Sequence, residues 1–215
     1  MSQQYMENTT ITNQSGEEVS LARIAETNTS NPTNRRNELM ARIHGFETVA
    51  EILGLVGEFC TLTTPSRFHA YHHNGKANKK FEQLTPKDAQ QWLNQSWAMI
   101  RAKLDRLGIR PFGFRVAEPH HDGTPHWHLL LFMTLEETKV VRQVIKEYAL
   151  RENEKGAKKY RFKAVRIDPS KGSAAGYIAK YVAKNIDGAH IDEDRFGGDA
   201  KSNAKRIRCW ASTWN

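Results

Sequence analysis

The sequence predicts an α+β fold in which a mainly antiparallel sheet carries helices. Past an opening helix, strand-like and helix-like segments follow one another in the order β, α, β, β, α, β, α. The adjacent strand-like segments 112–118 and 126–132 are joined by PHHDGTP, a connector with Asp-Gly turn chemistry and two prolines, which reads as a hairpin. The length of 215 residues, with 39% hydrophobic and 26% charged, bounds the chain at one substantial domain plus tails, or two small domains.

The elements are expected as follows. Residues 1–36 are rich in Ser, Thr, Asn and Gln and read as a mostly disordered polar arm with, at best, a turn of helix near 21–25. From 38 to 55 the apolar residues Leu39, Ile43, Phe46, Val49, Ile52 and Leu55 recur at helical spacing, and Gly54 or Gly57 ends that helix. Residues 59–63 have strand composition and meet Pro65. A basic, aromatic-bearing loop follows over 66–80, with Arg67, His69, Tyr71, His72, His73, Lys76, Lys79 and Lys80. Thr85 is an N-cap with Pro86 at the first helical position, and the helix runs through Trp92, Trp97, Ile100 and Leu104 to Gly108. After the hairpin, residues 134–137 cap a helix through Val140, Val144 and Tyr148 to about 152, and 160–167 form a strand. Residues 170–172 turn the chain, and Ser173 caps a helix to about 185. The tail divides into a polar, glycine-rich loop over 188–203 and the start of a further helix with Arg206, Arg208, Trp210 and Trp214, as in a fragment of a longer protein. The expected division is therefore an arm (1–36), a folded domain with an N-terminal helix (37–187) and a truncated continuation (188–215).

Composition excludes several classes. No apolar run is long enough to cross a bilayer. The N-terminus lacks the basic and apolar regions of a secretory signal, so a cytoplasmic location is expected. Cys60 and Cys209 are too few for a disulfide framework and form no CxxC pair for zinc. Against 24 acidic residues stand 32 Lys and Arg, and a formal charge of +8 favours a polyanionic partner, nucleic acid being the commonest.

Two constellations carry chemistry. His126 and His128 are two apart on a strand, so both side chains leave one face. Symmetric pairing around PHHDGTP sets Glu118 opposite His126 and Val116 opposite His128, with cross-strand Cβ atoms about 5 Å apart. Two imidazoles and a carboxylate can then hold a divalent metal with open positions for substrate. The apolar run 129–132 anchors them at a rigid edge, whereas a bare HxH is more often merely solvated. His120, His121 and Asp122, in the connector, are rival third ligands.

The second constellation is GYIAKYVAKN, where Tyr177 and Tyr181 are four apart and share a helix face, with Lys180 and Lys184 each three residues after a tyrosine. Ile178, Val182 and Ile186 form a separate apolar stripe for docking on the sheet. A tyrosine hydroxyl ordinarily ionises near pH 10, leaving on the order of 0.1% phenolate at neutral pH. A neighbouring lysine favours the ionised form, and a metal on a phosphate makes that phosphate easier to attack. Aromatic pairs at this spacing usually only pack, but core pairs seldom carry lysines at both i+3 positions.

These motifs, with FCTLTTPSRFH before them, resemble in type and order those of the HUH endonuclease superfamily. The tyrosine motif in particular is similar to that of the bacteriophage replication gene A proteins, two-tyrosine initiators of rolling-circle replication, and the resemblance covers roughly 59–185. It implies a five-stranded antiparallel sheet flanked by helices, with Mg²⁺ or Mn²⁺ as metal. It also implies nicking of one strand at a replication origin, leaving a free 3′-OH and a 5′-phosphotyrosine. His126, His128 and Glu118 would be ligands, Tyr177 and Tyr181 nucleophiles and Lys180 their helper. Arg67, His69, Lys79, Lys80 and Lys184 are the expected contacts to single-stranded origin DNA, along with the lysine-rich segment 155–171, and Tyr71, Trp127 or another aromatic would stack a base. No P-loop is present, so a host helicase and replication machinery are the expected partners. The rival readings are a transposase or relaxase of the same superfamily, a non-catalytic origin-binding module, and a histidine-based phosphodiesterase.

Overall fold

A computed structural model describes residues 3–28, 31–72, 74–152 and 156–187. The expectations for His73, Lys155 and the tail 188–215 fall outside the described residues, as do the side chains of Lys180, Lys184 and Ile186.

The segment read from composition as a disordered arm carries elements of its own: helix α1 (Gln3–Asn8), strands β1 (Thr10–Thr12) and β2 (Glu18–Ser20), and helix α2 (Leu21–Thr27). The two strands pair antiparallel as a separate sheet. None of the described residues in 3–28 is buried, so the polar composition is that of a small unit with no interior. Local bonds hold it: Asn13 Oδ1 accepts from the backbone N–H groups of Ser15 and Glu17, and the Ser20 hydroxyl caps α2 through Arg23 N at 3.2 Å.

From α3 (Pro32–Ile52) onward the expected order appears: β3 (Val56–Thr63), a 3₁₀ turn (Ser66–Phe68), α4 (Pro86–Arg106), β4 (Phe112–Pro119), β5 (Pro125–Met133), α5 (Glu137–Ala149), a single turn α6 (Ala157–Tyr160), β6 (Phe162–Arg166) and α7 (Ala174–Asp187). The class is α+β, with helices flanking an antiparallel sheet. That sheet has four strands among the described residues, in the order β4-β5-β3-β6, not the five implied by the resemblance. The Lys- and His-rich stretch after β3 adds only one bridge, Tyr71 to Ala77. It folds on itself instead, with His72 N bonded to Lys76 O at 2.8 Å and the Asn78 amide donating to the carbonyls of Ser66 and His69.

Local chemistry explains the boundaries. The Thr85–Asp88 capping box starts α4, each side chain taking the other's backbone N–H. Gly54, in the left-handed region at φ +65, ends α3, while Gly57 lies within β3 against Ile167 and Phe132. Helix α5 stops three residues short of the expected 152, because Glu152 turns away to receive Trp92 Nε1 at 2.7 Å and the Arg67 guanidinium at 3.1 and 3.2 Å.

Two cores sandwich the sheet. On one face α4 and α5 pack over Cys60, Leu62, Trp127, Leu129 and Leu131; on the other α3 and α7 pack over Phe59, Leu130 and Phe132. Strand β5 is central and buried along its whole length. The first face also holds Glu58, 1% exposed, gripped by Arg142 at 2.8 and 2.9 Å and approached by Arg166 at 3.4 Å. A carboxylate there needs those partners, since an uncompensated buried charge costs several kcal/mol. The bridge ties α5 to β3 and β6.

Gly113 sets the close approach of β4 to β5. Its φ is +153, and a Cβ there would lie 1.9 Å from the Leu130 carbonyl oxygen. Gly113→Ala should therefore cost more than about 2 kcal/mol, combining backbone strain with a clash against main chain. Gly123→Ala, also at positive φ but in open space, should cost about 1 kcal/mol. Urea unfolding of the two variants separates the effects; equal losses would mean that the contact with Leu130 relaxes freely.

Candidate metal and tyrosine site

The β4–β5 ladder pairs Glu118 with His126 and Val116 with His128, the register expected from the sequence. On the other side β5 pairs with β3, setting Thr61 against His128 and Thr63 against His126. Directly paired residues share a face, so Glu118, His126, His128, Thr61 and Thr63 all point to the side of the sheet covered by α3 and α7.

Three ligand-type atoms meet there. Glu118 Oε2 lies 2.7 Å from His128 Nε2 and 3.3 Å from His126 Nε2, and the two imidazole nitrogens are 3.0 Å apart. All three residues fall within the spacing of a single-ion site. Burial alone would push the Glu118 carboxyl up, but its hydrogen bonds to His126 and His128 outweigh this and hold it well below the usual carboxylate range. Thr61 Oγ1 is 3.2 Å from His128 Nδ1 and so fixes which face of that ring is turned to the centre. His126 Nδ1 is buried without a hydrogen-bond partner among the described residues. This set fits a divalent cation: with the Nε2 atoms as neutral acceptors beside an ionised carboxylate, one small positive charge satisfies all three at once. Mixed imidazole and carboxylate ligands suit a divalent metal with open coordination positions.

Of the rival third ligands, Asp122 is held elsewhere. Asp122 bonds His69 Nδ1 at 3.1 Å and Thr124 N at 3.0 Å. Burial pushes its carboxyl up, but the bonds to His69 and Thr124 prevail and bring it down to about 2. His120 stacks beside His126 with ring centroids 4.1 Å apart, and burial together with the neighbouring His126 and His69 pushes it down to about 3, a neutral ring at physiological pH. His69 also bonds Thr64 Oγ1 at 3.2 Å. The group locks the hairpin connector onto the turn after β3.

The tyrosines come to the same place from above. Small residues, Ala174, Ala175 and Gly176, open α7, and Ser173 Oγ caps it by accepting from Gly176 N at 3.0 Å. Glu47 of α3 accepts from Ala174 N, tying the start of α7 to the neighbouring helix. Ile178 and Val182 are buried against the sheet, as expected. Tyr177 and Tyr181 do not form a separate solvent-facing stripe: both are half-buried and turned toward the sheet. Tyr181 stacks on His128 at 3.8 Å between centroids and on Phe59 at 5.4 Å, and Tyr177 lies 6.3 Å from Phe59. A phenol is large enough to share the docking side with Ile178 and Val182, so neither ring is confined to the polar face expected from helical spacing.

Other expected contacts are placed differently. Arg67 is bound to Glu152 and Glu82 and lies over Phe68 at 4.2 Å, and His69 is held by Asp122 and Thr64. Trp127 cannot stack a base: it is fully buried on the opposite face, with its Nε1 donating to Gln90 at 2.9 Å and Arg115 over its ring. Tyr71, Lys79 and Lys80 are exposed. Thr61 and the Asp122–His69 pair escaped the sequence reading; the Thr-Leu-Thr alternation of β3 was the one signal for Thr61.

Comparisons with known proteins agree in kind. The profile of the family described as bacteriophage replication gene A protein (GPA) matches residues 1–189. The chain is 47% identical over 99% of its length to the replication gene A protein of Escherichia phage 186, covering 32% of that protein. It is 44% identical over 90% of its length to the probable replication protein P12 of Pseudoalteromonas phage PM2, covering 31%. A probable replication endonuclease from a prophage-like region of Salmonella paratyphi A is 39% identical over 93% of the chain, which covers 26% of it. The chain thus spans about a third or less of the relatives it matches. No solved structure matches it.

Thr61→Val keeps shape and removes the bond to His128 Nδ1. It should weaken Mn²⁺ binding about ten- to a hundredfold with little loss of stability, and Thr61→Ser should restore it. Calorimetric titration with Mn²⁺ checks this; unchanged affinity in Thr61→Val would show that His128 is oriented without the hydroxyl.

Proposed function

The chain belongs to the bacteriophage replication gene A protein family, and from that premise we propose that it is a metal-dependent, tyrosine-nucleophile endonuclease that nicks one strand of origin DNA. One observation carries the reading: a phenol stacked on a histidine of a three-ligand centre, in a chain whose relatives are named as replication proteins and replication endonucleases. Residues 37–187 are the proposed endonuclease domain. The substrate is single-stranded or melted origin DNA, and host helicase and replication proteins are the proposed partners of the whole protein in the bacterial cytoplasm. No helix among the described residues is long and apolar enough to cross a membrane.

Glu118, His126 and His128 would hold the ion, which when bound draws charge from the scissile phosphate. The rigid strands β4 and β5 keep those three atoms in place, and Thr61 keeps the His128 ring turned toward them. Tyr177 or Tyr181 delivers the attacking oxygen: the phenol bonds to phosphorus, its proton leaves, and the 3′ oxygen departs with the bonding pair as the primer hydroxyl. The strand keeps its 5′ end on tyrosine, so the phosphodiester energy is conserved for rejoining. Lys180 is the proposed helper in ionising the phenol. Lys79, Lys80 and Lys184 are proposed phosphate contacts, whereas Arg67 and His69 act in the fold through the partners already named.

Two tyrosines on one face allow two cuts. Ile178 and Val182, each contributing about 2 kcal/mol of apolar burial, hold α7 down. A ring stack such as Tyr181 on His128 contributes only about 1 kcal/mol, so a phenol can leave it without undocking the helix. Origin-like single-stranded DNA with Mn²⁺ should therefore give a covalent adduct that survives denaturing electrophoresis. Tyr177→Phe and Tyr181→Phe should each retain some adduct and the double variant none, while His126→Ala with His128→Ala should lose cleavage but keep most DNA binding. Adduct in the double tyrosine variant would overturn the nucleophile assignment, and cleavage by the double histidine variant would overturn the metal.

A further inference from the structure

The face of the sheet that bears the triad is not covered along its whole width. In the row Leu130, Phe59, Val165, which crosses β5, β3 and β6, exposure climbs from 0% through 9% to 40%. The helices above it therefore leave Val165 uncovered, although Ile167, further along the same face, is buried beneath them. The next row runs Val116, His128, Thr61, Lys163, and it passes from buried His128 through half-buried Thr61 to exposed Lys163. Register puts Lys163 on the same face as the ligands, two strand spacings or about 10 Å from His128. No side-chain hydrogen bond or ion pair of Lys163 is found among the described residues. At the end of β6 nearest the triad, α6 adds Lys158, Lys159 and Tyr160, all exposed; Tyr160 is 68% exposed, with Lys159 Nζ 5.0 Å from its ring centroid.

We infer that the open face of β3 and β6 is the track along which single-stranded DNA leaves the metal centre, with Lys163 holding a phosphate next to the scissile one and Tyr160 stacking an unpaired base. The inference rests on the nuclease reading and sharpens its substrate. An exposed phenol at a sheet edge can stack only on a base that has left its partner, so the site selects unpaired DNA by stacking and charge. Val165, on the same face one row beyond Lys163, supplies a low apolar floor, and Lys158 and Lys159 add sequence-independent attraction.

The test is binding of a fluorescein-labelled oligo-dT to the whole chain in chelator, where cleavage is silent, across a salt series. Lys163→Ala should lower the slope of log affinity against log salt by about 0.7, the value for one single-strand phosphate contact. Tyr160→Ala should weaken binding by about five- to a hundredfold and reduce the preference over duplex DNA, while Tyr160→Phe should bind as the parent does. Val165→Glu, placing a negative charge on the floor, should weaken binding further. Lys139→Ala and Lys146→Ala, on α5 across the sheet, are controls that should change neither quantity. If the parent binds oligo-dT and the variants of Lys163, Tyr160 and Val165 bind it equally with an unchanged slope, the track is wrong and the nuclease reading stands. If the parent binds no single-stranded DNA, both fall.

Discussion

The hydrogen-bond ladder between β4 and β5 places Glu118 against His126, and the ladder between β5 and β3 places Thr61 against His128. A slip of one residue in either pairing would turn a whole set of side chains to the opposite face, scattering the triad between two cores. What prevents the slip is β5 itself, whose inward and outward residues are both buried, so neither face can be exchanged without exposing Leu129 and Leu131 or Leu130 and Phe132. The chemistry of the site thus depends on an apolar strand that carries ligands only at its first positions.

That dependence extends to α7. The helix sits close because its first turn is Ala174, Ala175 and Gly176, and Glu47 of α3 fixes its start. Ile178 and Val182 supply the docking energy, which frees the tyrosines from being the anchor. Their half-buried rings rest over Phe59 and His128 by ring contacts of only about 1 kcal/mol each. A more tightly packed tyrosine would be a structural residue, and a fully exposed one would have no fixed relation to the ligands.

Much of this was legible in the chain. The Asp-Gly connector between two apolar runs set the hairpin register, and through it the triad; Thr85-Pro86 and Ser173 marked helix starts by local hydrogen bonding. Those features are determined by residues near in sequence. What depended on distant partners was less readable. Arg67 looked like a free cation until Glu152, 85 positions away, was seen to hold it, and Trp127 looked available until α4 covered it. Apart from the helical turn at 21–25, the N-terminal unit escaped because none of its described residues is fully buried, leaving little apolar periodicity to read. The fourfold rather than fivefold sheet reflects a loop whose backbone bonds are spent on its own turns.

The triad also imposes a cost on the fold. His126 Nδ1 lies buried without a described partner, and three ligand-type atoms crowd one point. Buried groups in that condition lose about 1–3 kcal/mol each for want of a partner. The surrounding strands must supply that energy, and the fully buried apolar run Leu129–Met133 begins immediately after His128. A bound cation reverses the balance, since whatever binds only the folded state stabilises it in proportion to the logarithm of its concentration over its dissociation constant. The fold can therefore hold the three ligand-type atoms in place beforehand because Leu129–Met133 are buried so completely.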